Sequence, residues 1–116
     1  MKENVYLYLI KLYNEEECFY KIGISVNKYS RFYQLMKFGY RCEIVYMLFG
    51  KDYLLFLDLE NNMHVRFSKN RYLPIRKFGG YTECYKNIDV DNYIDALRDV
   101  YPIQADVIKN EEITWR

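Results

Sequence analysis

The sequence predicts an α+β domain, a small and mainly antiparallel three-stranded sheet flanked by helices. Three observations predict it. Two apolar, tyrosine-rich segments near the N-terminus are joined by only a short polar connection. Three later segments carry apolar residues at helical spacing, and a β-prone segment separates the first two. With 116 residues, 51% of them hydrophobic and 28% charged, the chain suits one buried core and leaves no room for a second.

Residues 5–12 are rich in aliphatic and tyrosine side chains and read as a strand. Asn14-Glu15-Glu16-Glu17 is a polar connection, and residues 19–25 read as a second strand, so an antiparallel hairpin is expected. Asn27 stands where it caps a helix whose stripe is Tyr29, Phe32, Tyr33 and Met36, with Gly39 as the stop. Residues 41–49 are the expected third strand, ended by Gly50. Residues 51–67 make the strongest helix. Leu55, Leu59, Met63 and Phe67 recur every four positions, and Glu60 and His64 lie four apart on an adjacent column. Glu60 is thus expected at the edge of the buried stripe, where its carboxylate carries no core methylene.

Residues 68–80 read as irregular around Pro74 and Gly79-Gly80, and residues 81–87 as a short edge strand. Asp89 or Asp91 caps a last helix with Ile94, Leu97 and Tyr101 facing inward, and Pro102 ends it. The domain is expected over residues 1–101. A tail over residues 102–116 is expected to pack in part, through Ile103, Val107, Ile108 and Trp115.

The same residues exclude several classes. The apolar run at residues 53–57, like those at 5–10 and 44–49, falls far short of the roughly 20 a membrane helix needs. Met1-Lys2-Glu3-Asn4 leads into short alternating apolar residues rather than a secretory core. Cys18, Cys42 and Cys84 are odd in number and lack a Cys-x-x-Cys pair, against a disulfide framework and a zinc ribbon. An intracellular, reducing location is expected. The net charge of +1 gives no overall attraction to polyanions. The 14 tyrosines, with plentiful asparagine and lysine, suit an AT-rich genome such as a virus or a low-GC bacterium. They equally suit a small core filled with large rings.

Five landmarks occur in order. They are Tyr6-Leu7-Tyr8-Leu9-Ile10, Lys21-Ile22-Gly23, Arg31, Leu59-Glu60 followed by His64 and Phe67, and Gly80-Tyr81-Thr82-Glu83-Cys84-Tyr85. Together they resemble the GIY-YIG nuclease superfamily over roughly residues 5–87. The first motif departs from Gly-Ile-Tyr. Tyr8 aligns with the family tyrosine because Tyr8-Leu9-Ile10 matches the Tyr-x-Ile that follows, and Tyr6 is the alternative. Lys-Ile-Gly in the second motif resembles a branch common in phage and viral proteins. Cys84 replaces an aromatic of the last motif.

The resemblance implies a metal-dependent endonuclease acting on nucleic acid, most simply DNA. Tyr8 is implied as general base, with Lys21 favouring its phenolate. Arg31 is implied to clamp the phosphate, and Glu60 to hold Mg²⁺ or Mn²⁺ as a lone carboxylate. Tyr6, Tyr20, Gly23 and His64 are implied in support, Gly23 by permitting close approach and His64 by orienting Glu60. Glu83 reads as structural, a hydrogen-bond partner at a strand end.

No acidic residue lies between Glu60 and Glu83, while Arg66, Lys69, Arg71, Arg76 and Lys77 do. This stretch reads either as a solvated loop or as a phosphate track with Tyr72 and Phe78 interleaved for stacking. Lys37 and Arg41 extend the track. With no appended recognition module read in the sequence, specificity is expected to be low, or to come from dimerisation or a protein partner. Two other readings stand beside the enzyme: an inactive nuclease-like protein that binds nucleic acid or interferes with a nuclease, and a structural interaction protein.

Overall fold

A computed structural model of the chain describes residues 3–100 and 106–113. The described residues form β1 (Val5–Tyr13), β2 (Cys18–Ser25), α1 (Ser30–Met36), β3 (Arg41–Gly50), α2 (Tyr53–Arg66), β4 (Cys84–Tyr85), α3 (Val90–Val100) and β5 (Asp106–Ile113). Short 3₁₀ turns occupy Ser68–Asn70 and Tyr81–Glu83. The class is α+β, but the sheet has five strands rather than three, in the order β4-β2-β1-β3-β5, with every pair antiparallel. The added members are the edges. β4 is only two residues long, and β5 arises within the expected tail and pairs with β3.

The β1–β2 hairpin closes as the sequence suggests. The Asn14 side chain accepts hydrogen bonds from the Glu16 and Glu17 amides, at 2.9 and 3.0 Å, which sets the turn. β1 lies at the centre of the sheet, and both its faces are covered. Val5, Leu7 and Leu9 pack with Phe56, Leu59 and Met63 of α2 and Tyr93 and Leu97 of α3. Tyr8, Ile10 and Leu12 pack with Phe32 and Leu35 of α1 on the other face. Two covered faces explain why the strand reads as a nearly continuous apolar run rather than a clean alternation.

Several local details differ from expectation. α1 begins at Ser30 behind Tyr29 and has no side-chain cap; Asn27 instead turns back on Ser25, exchanging bonds of 2.8 and 3.1 Å with its hydroxyl. α2 is capped by Asp52, which accepts from the Leu55 amide at 3.2 Å. Its buried face is Phe56, Leu59, Glu60 and Met63, with Leu55 only partly covered. Glu60 is therefore buried, 7% exposed, and not at a solvated edge. Asp89 caps α3 through the Asn92 amide, and Tyr93, Ala96 and Leu97 face inward. Tyr101, Ile103 and Trp115 lie outside the described residues. Among the described residues no helix is long and apolar enough to cross a membrane. The three cysteines are free, Cys18 exposed and Cys42 and Cys84 buried.

Candidate functional site

The hairpin register builds the first half of the site. Tyr8 stands opposite Gly23, and Lys21 opposite Ile10, so the two functional side chains share the face covered by α1. Tyr8 lies across Gly23: a Cβ there would stand 2.2 Å from the phenol oxygen. Glycine is required because the ring occupies that space. The Lys21 ammonium donates to the Tyr8 oxygen at 2.9 Å and is itself buried. Burial alone would lower the Lys21 pKa, but the neighbouring Tyr8 and Glu83 outweigh it and raise it. Tyr8 also packs edge-on against Phe32, with centroids 5.1 Å apart. A pocket of about 200 Å³ is lined by Tyr8, Lys21, Arg31, Gln34, Phe78 and Gly80, among others. Arg31, exposed on α1, lines this pocket and also borders the neighbouring one beside Tyr53.

α2 and β4 build the second half on the opposite face. His64 Nε2 lies 3.5 Å from a Glu60 oxygen and 3.4 Å from a Glu83 oxygen. Its Nδ1 is 2.5 Å from the Tyr85 hydroxyl, and the two rings stack. Burial lowers the His64 pKa, but the two carboxylates outweigh it and push it up to about 9. Glu83 in turn is held low, first by His64 and further by Lys21 and Arg31, against an opposing burial effect. Glu60, His64 and Glu83 each present a donor atom within 4.8 Å of the others, the geometry of a group able to hold a metal ion.

Glu83 joins the halves. It lies just before β4, whose Cys84 pairs with Lys21 of β2, and its second oxygen is 3.7 Å from the Lys21 ammonium. Tyr8, Lys21 and Arg31 line one pocket; Glu60 does not line it and is connected to it through His64 and Glu83. Glu83 stands at a strand end, as expected, and partners both Lys21 and His64 there; Gly80 matters too. It sits at φ +82°, and a Cβ would meet the Lys21 side chain at 2.8 Å. The signal for both was present in Gly80-Tyr81-Thr82-Glu83, where a glycine precedes a carboxylate by one turn.

The remaining expected residues are dispersed. Tyr6 packs tilted against Phe49 near the start of β1. Tyr20 faces the α2 side, opposite Tyr85. The basic stretch is only partly available. Arg76 is tied to Glu16 at 2.9 Å and also donates to the Phe38 carbonyl, so its charge is committed. Phe78 is buried and stacks on Phe19, and Tyr72 donates to Glu17 at 2.5 Å; neither ring is free for bases. Glu17 accepts from Tyr40 as well, at 2.5 Å, and from the Ile75 amide at 3.1 Å. These bonds outweigh burial and lower its pKa. They pin the loop against the hairpin. Lys37, Lys69, Arg71 and Lys77 remain exposed, and Arg41 lines a separate pocket with Arg76, Glu15 and Glu16.

Comparison with known proteins found no matching family model, no matching curated protein and no matching solved structure.

Proposed function

We propose that this chain is a metal-dependent endonuclease of the GIY-YIG type that hydrolyses phosphodiester bonds, with DNA as substrate. The observation that carries the reading is the junction at Glu83, where a Tyr–Lys pair and an arginine meet a Glu–His–Glu group across one sheet edge. Hydrolysis of a phosphodiester needs those residue types. Arg31 clamps the non-bridging oxygens, where its rigid fork suits the phosphate. Lys21 donates a hydrogen bond to the Tyr8 oxygen and holds it in place. Tyr8 then takes the proton of the attacking water. Glu60 would hold Mg²⁺ or Mn²⁺, which would supply Lewis-acid stabilisation of the phosphate and leaving-group charge. Lys37, Lys69, Arg71 and Lys77 attract the backbone, and a second copy or a protein partner supplies specificity. The residue pattern suits a viral or phage protein acting inside the host cell.

One observation favours the alternative, a catalytically weak nuclease-like protein that binds nucleic acid or interferes with a nuclease. Tyr8 is 0% exposed, and its oxygen engages Lys21 rather than solvent. A plasmid-nicking assay in Mg²⁺ or Mn²⁺ separates the two. Wild type that cuts, with loss of cutting in Tyr8→Phe and Arg31→Ala, supports the enzyme. Wild type that binds DNA but never cuts supports the alternative.

A further inference from the structure

We infer that Glu60, His64 and Glu83 together form a mixed site, two carboxylates and one imidazole nitrogen, for a single first-row transition dication. This deepens the proposed function, which assigns the metal to Glu60 alone, and rests on that assignment without requiring DNA cleavage.

Three observations carry it. The Glu60 side chain is 9% exposed, and its near partner is His64 Nε2 at 3.5 Å. Burying a carboxylate is costly unless a cation compensates it. His64 Nε2 is likewise buried and without a hydrogen bond, although carboxylate oxygens stand 3.5 and 3.4 Å away. These separations are near the roughly 3 Å between adjacent ligands on one ion with bonds of about 2.1 Å. Finally, the other ring nitrogen, Nδ1, is bonded to Tyr85, whose ring stacks on the imidazole. A metal-binding histidine is held in just this way: the far nitrogen is hydrogen-bonded, which fixes the ring and presents Nε2.

The nitrogen sets the choice of ion. Mg²⁺ prefers oxygen ligands and retains water, whereas imidazole suits transition ions. Glu83 also gives the site its link to the reaction pocket, because its other oxygen faces Lys21 at 3.7 Å.

The test is titration of the full chain with Mn²⁺, followed by electron paramagnetic resonance, with pulsed measurement of nitrogen coupling on the loaded wild type. One Mn²⁺ per chain with ¹⁴N coupling is expected, and Mg²⁺ should compete only at about tenfold or greater excess. His64→Gln should abolish the coupling, and Glu83→Gln should weaken Mn²⁺ binding about tenfold or more, with both variants checked by thermal melting. Absence of Mn²⁺ binding, or bound Mn²⁺ without nitrogen coupling in wild type, would overturn the site. The wild-type spectrum needs no variant, so a misfolded mutant cannot rescue or sink the inference. Coupling in a protein that never cuts keeps this site and removes the nuclease. Cutting without coupling keeps the nuclease, with Glu60 as the ligand, and removes this site.

Discussion

Gly23 lacks a side chain where Tyr8 occupies the space that one would need. The phenol has nowhere to retreat, because Phe32 packs edge-on against its ring and Lys21 holds its oxygen. Glycine to alanine in an unconstrained strand normally stabilises, by about 0.4–1 kcal/mol. Here Gly23→Ala should destabilise by about 1–3 kcal/mol through overpacking, and denaturant unfolding reads the sign directly. Glu60 should behave oppositely. Glutamine keeps its volume and His64 keeps its contact with Glu83, so Glu60→Gln should melt within about 1 kcal/mol of wild type or above it. A large loss of stability would show that the ion pair with His64 holds the fold. The direction matches the sequence-based expectation, but the reason differs. The spacing of Leu55, Leu59 and Met63 suggested an edge position for Glu60, whereas the sheet and α3 cover a wider face of α2 and take Glu60 inside.

At the scale of elements, the loop from Ser68 to Gly80 is irregular yet fixed, and Glu17 fixes it. Its carboxylate gathers two phenols and an amide from β3's approach and the loop. Glu17→Ala should cost about 2 kcal/mol at neutral pH, since it leaves those donors without an acceptor. The pH dependence follows from the lowered pKa. The unfolded carboxyl titrates near 4.3, so the Glu17 contribution is full above that value and disappears as pH falls through the lower folded one. The stability gap between wild type and Glu17→Ala should therefore narrow below about pH 4, as measured by urea melts across pH. A gap that widens in acid would contradict the assignment. The sequence could not reveal this anchor, because Glu17 sits in a run of three glutamates that reads as a solvated turn. The hairpin, α2 and the Asp89 cap were legible, since apolar spacing and capping chemistry are local. β5 was not: Lys109, Glu111 and Glu112 make the segment as charged as a loop, and only pairing with β3 makes it an edge strand. β4 is too short to leave a pattern.

For the molecule as a whole, a net charge of +1 means that the proposed affinity for nucleic acid would rest on a few local cations. Lys69→Gln with Lys77→Gln should weaken DNA binding, and should flatten the salt slope by about 0.9 for each phosphate no longer neutralised. Arg76→Gln should instead lower stability with little effect on that slope, because its guanidinium is engaged by Glu16 and the Phe38 carbonyl. Fluorescence anisotropy over a salt series distinguishes the two. The residues that meet at Glu83 come from β1, β2, α2 and the segment before β4, so the site exists only when the whole sheet is assembled. The order of the motifs in the sequence pointed to Tyr8, Lys21, Arg31 and Glu60, but not to the wall of strand between Glu60 and the other three. The most direct measurement of the central claim is plasmid nicking in Mn²⁺ by wild type and Glu60→Gln from preparations with matched melting curves. The account predicts cutting by wild type and nearly none by a folded Glu60→Gln protein that still binds DNA; equal cutting by both would contradict it.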